Sequence, residues 1–225
     1  MKTITALVAV ADYPSNKKLI LYYVHTRDLF YKKNDIDVTV LNFSAIEEYS
    51  IDGIRVIPLS VYEKENVKYD VLICHAANIR NHYRFLKKYG DMFPKFVFFF
   101  HGHEVLKISK AYCKPYKWAK KSIGKTVLQN VYDDFKLAVW RKYYPTVAEK
   151  SRFIFVSNWM LDEFLKWTRI PYNDIRNSSC ITYNCIGYRF EETQYVPFPT
   201  SKNFMPRFSL AILLTMSIEY LASSK

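Results

Sequence analysis

The sequence predicts an α/β domain built on a doubly wound parallel sheet. Three observations point there. Short apolar runs alternate with stretches of helical spacing along most of the chain. The runs are rich in Val, Ile and Phe and alternate little in polarity, as strands buried on both faces do. Several runs also end abruptly in polar residues. The sharpest case is KFVFFFHGHEVL at 95–106, where residues 96–100 give way to His101, Gly102, His103 and Glu104. Ligands of parallel sheets bind just beyond the carboxyl ends of the strands, so such endings are where chemistry is placed.

Taken in order, residues 4–11 read as a first buried strand. A turn through Asp12, Tyr13, Pro14 and Ser15 follows, with Tyr13 and Ser15 as candidate substrate contacts. Residues 18–33 have helical spacing, with Leu21, Val24, Leu29 and Phe30 expected on the packed face. Residues 36–43 and 54–59 are the second and third strands. YDVLICHA at 69–76 is the fourth and brings up His75. Residues 78–89 are helical and closed by Gly90, and the 95–106 stretch is the fifth strand. A long helical region spans 122–150. A strand at 152–156 then leads to Ser157 and Asn158, a helix at 159–167 ends at Ile170-Pro171, and a last strand at 180–184 ends in Asn184. After residue 196 the Pro-containing VPFPTSKNFMPRFS reads as a linker. A boundary is expected near residue 197, leaving a short apolar tail, LAILLTMSIEYL.

The 225 residues carry a formal charge of +12, placed unevenly. Residues 1–50 balance at 6 basic and 6 acidic, and residues 151–200 at 5 and 5, whereas residues 101–150 hold 11 basic against 4 acidic. The excess is local, which points to a surface that meets something anionic. The four cysteines, Cys74, Cys113, Cys180 and Cys185, form no CxxC and fit a reduced, cytoplasmic setting. The N-terminal MKTITALVAVADYPS reads as a buried strand, with a signal peptide as the alternative. No stretch reaches the ~20 apolar residues needed to cross a bilayer.

If the sheet is parallel, His75, His101, Gly102, His103, Glu104, Ser157, Asn158 and Asn184 line one crevice at its carboxyl edge. Donors and acceptors converging on rigid elements suit a sugar or a phosphate. The competing reading for each is local: Ser157 is well placed to cap the helix after it, and His75 and Asn184 can bond backbone. His101 and His103 at i, i+2 would share a face if the strand continued, which permits metal ligation, but the ligand set is incomplete and no metal is assigned. GxSxG, GxGxxG and the P-loop pattern are all absent, so serine hydrolysis and dinucleotide binding are not indicated.

The charge excess concentrates in KISKAYCKPYKWAKKSIGK at 107–125, with seven Lys and no acid. Lys107, Lys110, Lys114, Lys117 and Lys121 recur every three or four residues with Trp118 among them, although Pro115 interrupts a single helix. Such a stripe suits an anionic membrane surface. A solvated basic face is the plain alternative, and no recognition motif supports nucleic acid.

Three segments, HGHE after the fifth strand, RFIFVSNWMLDEFLK and CITYNCIGYRF, resemble elements of retaining GT-B glycosyltransferases of the family 4 group. The resemblance covers about residues 1–196. It implies a Rossmann-like N-terminal half of a GT-B fold that binds an acceptor, a glycan or lipid-linked sugar of the kind found in bacterial surface-polysaccharide synthesis. It also implies a nucleotide-sugar donor, UDP- or GDP-linked, held mostly by a second domain or partner chain. His101 would then sit near the reacting sugar, with Glu104 as the second catalytic candidate and Ser157 positioning substrate. Two departures stand out: Gly187 replaces the family's Asp, and only a short tail follows residue 196. The chain therefore looks like half an enzyme, acting at the inner face of the membrane when complete. The alternative is a non-catalytic or partner-dependent membrane-associated module.

Overall fold

The computed structural model describes residues 3–184, apart from Lys17, Leu19, Asn66 and residues 113–121. The expected boundary near residue 197, the apolar tail, Cys113, Cys185 and Gly187 lie outside the described residues. In chain order the elements are β1 (Ile4–Val10), α1 (Tyr22–Lys33), β2 (Ile36–Asn42), β3 (Tyr49–Ile51), β4 (Ile54–Ile57), α2 (Leu59–Glu65) and β5 (Val71–His75). A π-helical segment, Ile79–Tyr83, leads into α3 (Arg84–Tyr89). The remainder is β6 (Lys95–Phe100), α4 (Ile108–Ala111), α5 (Ile123–Val147), β7 (Ser151–Phe155), α6 (Asn158–Thr168), α7 (Tyr172–Ile175) and β8 (Ser179–Ile181).

The strands form one eight-stranded sheet in the order β3-β4-β2-β1-β5-β6-β7-β8. Every neighbouring pair is parallel except β3 with β4. The chain begins in the middle at β1 and winds outward through β2 and β4. It then returns to β5 on the other side of β1 and winds outward again. The direction of winding reverses between β1 and β5, the place where open α/β sheets form a ligand crevice. Helices cover both faces, which gives the Rossmann-like doubly wound architecture. α1 packs through Val24 on Val8, Val10, Val40 and Ile73. The opposite face packs on Tyr62 of α2, Phe85 of α3, Trp140 and Tyr144 of α5, and Phe164 of α6.

β6 is the spine of both cores. Phe96, Phe98 and Phe100 point to the larger core and Phe99 to the smaller one, all four buried. Phe98 stacks on Phe153 at 5.8 Å and Phe100 on Phe155 at 4.9 Å, so aromatic pairs lock β6 to β7. Burying four phenylalanines contributes roughly 6–12 kcal/mol before entropy is counted. This is why the run reads as a strand buried on both sides.

The structure departs from the sequence expectations in four places. Tyr49–Ile51 and Ile54–Ile57 form a hairpin, of which only the second strand was expected. Its turn, Asp52 and Gly53, has positive φ at both positions (49° and 72°), the Asp-Gly pattern of a tight hairpin. Helix α2 was not anticipated. α1 starts only at Tyr22 and turns Val24, His25 and Asp28 inward, leaving Phe30 exposed. Finally, β8 is shorter than expected and ends at Ile181. Among the described residues no helix is long and apolar enough to cross a membrane.

Candidate functional site

The candidate site lies at the carboxyl edge of β5 and β6, next to the reversal point of the sheet. β5 ends in His75 and β6 runs straight into His101. The two strands pair in register, with His75 opposite Phe99. Both imidazoles therefore emerge on the α1 side of the sheet. His75 Nδ1 lies 3.1 Å from His101 Nε2, and His75 stacks on Phe99 with ring centroids 4.4 Å apart. From α1, Tyr23 closes on His101 at 4.8 Å, and the Arg27 guanidinium sits 4.4 Å above the Phe99 ring. Tyr23 and Arg27 are four residues apart on one helix and so fall on the same face.

This setting keeps both histidines neutral. Burial pushes His101 down to about 4, helped by the positive charge of Arg27. Burial, then His101 and Arg27, holds His75 well below the usual imidazole range. Two neutral imidazoles share two N–H protons among four nitrogens. One N–H is consumed in the contact between them. Of the two outer nitrogens, His75 Nε2 and His101 Nδ1, one is then a donor and the other an acceptor, whichever way the shared bond points. Neither outer nitrogen has a partner among the described residues, and the same holds for Arg27 Nε.

The loop that carries His101 is built by Glu104. Its carboxylate is 4% exposed and accepts the backbone N–H of Gly102 at 3.0 Å and that of His101. Burial pushes this carboxyl up, against the pull of those N–H donors. Gly102 stands at φ 153°, where a Cβ would come within 3.0 Å of the Tyr112 hydroxyl, so the turn requires glycine. The loop is fastened from below by α5. Lys136 Nζ donates to the carbonyls of His103 at 2.6 Å and Leu106 at 2.9 Å, and to Asp133 Oδ1 at 2.8 Å. Asp133 Oδ2 accepts the N–H of Ile108 at 2.9 Å.

Several sequence-derived candidates take other places. The turn at Gly102 ends the strand, so His103 leaves the face of His101 and stands exposed against Tyr112, at 5.5 Å between rings. Glu104 has both oxygens on backbone and shapes the loop instead of facing the crevice. The Tyr13 hydroxyl is buried, donating to Asp28 Oδ2 at 2.7 Å and lying 3.0 Å from His25 Nδ1, which withdraws it from the edge. Ser15 pairs with Lys18 through backbone in the same turn. Ser157 caps α6, its hydroxyl accepting the N–H of Met160 at 3.1 Å, while Asn158 is exposed in the first turn. Asn184 is exposed beyond β8, two strands or about 10 Å from β6.

Lys107 is committed to Asp134 at 2.7 Å, and Lys110 is exposed. Lys114, Lys117, Trp118 and Lys121 lie outside the described residues. Among the described residues no group of three or more His, Cys, Asp or Glu is arranged to hold a metal.

Sequence reasoning missed Tyr23 and Arg27. Their i, i+4 spacing placed them together, but nothing in the sequence told which face of α1 meets β6. No protein-family model matches the chain, and no curated protein matches it.

Proposed function

We propose that this chain is the acceptor-binding half of a retaining GT-B-type glycosyltransferase, moving a sugar from a UDP- or GDP-sugar to a lipid-linked or surface-polysaccharide acceptor. The observation that carries the reading is the His75–His101 pair at the carboxyl edge beside the reversal of the sheet. A sugar hydroxyl is both donor and acceptor, and the pair offers one of each on its outer nitrogens. Arg27 adds a fixed positive charge over Phe99, suited to a phosphate oxygen of the donor. In the transfer, the anomeric carbon–phosphate oxygen bond breaks and a bond to the acceptor oxygen forms. The acceptor proton leaves to the departing phosphate. His101 would hold a hydroxyl of the reacting sugar, and Glu104 would keep His101 in place.

The test titrates the full chain calorimetrically with lipid-linked glycan extracts, beside UDP, GDP and their sugars. The expected result is saturable, glycan-selective binding that His101→Ala weakens by at least about tenfold, with weaker binding of the nucleotides, since the donor belongs mostly to a second domain or partner chain. Absent glycan binding, or glycan binding unchanged in the variant, overturns the reading.

A further inference from the structure

The first half of α5 is built inside out. Ile123 (85% exposed), Leu128 (71%) and Phe135 (58%) lie on its outer face together with Val127, Val131 and Tyr132. Positions 123, 127, 131 and 135 recur every four residues, with 128 and 132 alongside, so they form one stripe along more than three turns. Over the same turns the inner face is polar. Gln129 bonds Asp133 at 3.1 Å, and Asp133 and Lys136 are buried in the anchor of the His101 loop. An amphipathic helix of a globular domain has the opposite polarity. Six large apolar side chains displayed together reach the several hundred Å² that mark an interaction surface.

The location of the stripe is as informative as its composition. α5 has 25 residues and is about 37 Å long. The six-residue β6 beneath it is about 20 Å long. Only the second half of the helix, through Leu137, Trp140, Tyr144 and Val147, enters the core. The first half stands beside residues 101–108. It is preceded by the run from 107 to 125, with seven Lys and no acid, in which Lys110 and Lys125 are exposed.

We infer that the outer face of α5 is a membrane-docking surface, which sets Ile123, Val127, Leu128, Val131 and Phe135 into the headgroup–acyl boundary of an anionic phospholipid bilayer while the neighbouring lysines hold the headgroups. The charge selects this partner. A second copy packed about a two-fold axis would bring the same lysines face to face. The chain's own 197–225 stretch is itself basic, with Lys202, Arg207 and Lys225 against Glu219, and supplies no complementary charge. Lysines alone, as expected from the sequence, would give a contact that high salt abolishes. An inserted apolar stripe leaves part of the binding intact. The same helix holds the His101 loop through Lys136 and Asp133, so docking brings that carboxyl edge of the sheet towards the bilayer, where the sugar of a lipid-linked acceptor is presented. That last consequence rests on the proposed function; the docking itself does not.

The experiment is co-sedimentation of the full chain with sucrose-loaded vesicles of phosphatidylcholine, with or without about 30 mol % phosphatidylglycerol. The vesicles carry no glycan and no nucleotide-sugar is added, so the outcome is independent of sugar transfer. Binding to the anionic vesicles is expected to fall at least tenfold in Leu128→Glu/Phe135→Glu, and about fivefold for each of Lys110→Ser and Lys125→Ser. All four sites are exposed, and circular dichroism with the thermal midpoint checks that the variants fold. Failure of the wild type to bind anionic vesicles overturns the inference, as does binding insensitive to the Glu pair. A wild-type dimer in sedimentation velocity that the Glu pair dissociates, with no vesicle binding, would assign the stripe to a second copy and also overturn it.

Discussion

Replacing Lys136 by Met removes a buried cation that fastens the His101 loop while nearly keeping the side-chain volume. Lys136 is 3% exposed and Asp133 0%, so the pair is buried. The substitution deletes three hydrogen bonds, to the His103 and Leu106 carbonyls and to Asp133 Oδ1, at 2.6, 2.9 and 2.8 Å. It also strands a buried carboxylate. Breaking a buried ion pair by removing one partner costs about 3–5 kcal/mol, most of it for the charge left behind. Asp133 retains donors in Ile108 N–H at 2.9 Å and Gln129 Nε2 at 3.1 Å, which points to the lower end, about 3 kcal/mol. With a urea slope near 2 kcal/mol per M, the unfolding midpoint should fall by about 1.5 M. Adding Asp133→Asn neutralises the stranded group yet still accepts from Ile108, so the double variant should regain about half of the loss. Trypsin should cut after Lys107 and Lys110 faster in the single variant, because the anchor holds the backbone at Leu106 and Ile108. A loss below about 1 kcal/mol, or a double variant worse than the single, would refute the assignment of this pair as the loop anchor.

Two further predictions concern pH. His75, His82 and His101 are held neutral in the fold, His82 and His101 at about 4 and His75 well below its ordinary 6.5, chiefly by burial. The unfolded chain takes up these protons near 6.5. Their contribution is therefore complete above pH 6.5 and lost as the pH falls towards 4. Urea unfolding at pH 7, 6, 5 and 4.5 should show a steady decline, and a flat profile would contradict the burial of these rings. Asp28 runs the other way. Burial raises it to about 8 despite Tyr13 and Arg27, so its contribution is complete below its ordinary 3.8 and lost as the pH rises through 8. Asp28→Asn should gain on the wild type across that interval and hold a constant advantage above it. Thermal midpoints at pH 5, 7 and 9 measure this, and parallel profiles would show that Asp28 is ionised in the fold.

Much of the site was legible because strand ends are written in the apolar runs. Residues 96–100 fill both cores, so the first polar residue after them, His101, has to stand at the edge of the sheet. YDVLICH brings up His75 by the same logic, and the parallel order sets the two rings side by side. The Asp52-Gly53 turn is legible too, as an Asp-Gly pair between β-branched residues. His82 was not. It sits in a π-helical segment and bonds the carbonyl of Ala9 at 3.1 Å, 73 positions away, which no local pattern reports.

The sequence by itself determined the α/β class, the buried strands and the edge at which polar groups gather, since each follows from residue type over a few positions. Only the tertiary structure decided which polar groups turn inward and which apolar ones turn out. His25 and Asp28 are polar, and their burial comes from Tyr13 and Asp52, which meet them only in the fold. Asp133 and Lys136 are charged, and residues 101–108 arriving above them bury them. Val127, Leu128 and Val131 are apolar and yet stand exposed. A side chain's burial is set by what packs against it from elsewhere in the chain, and helical periodicity carries no record of that partner.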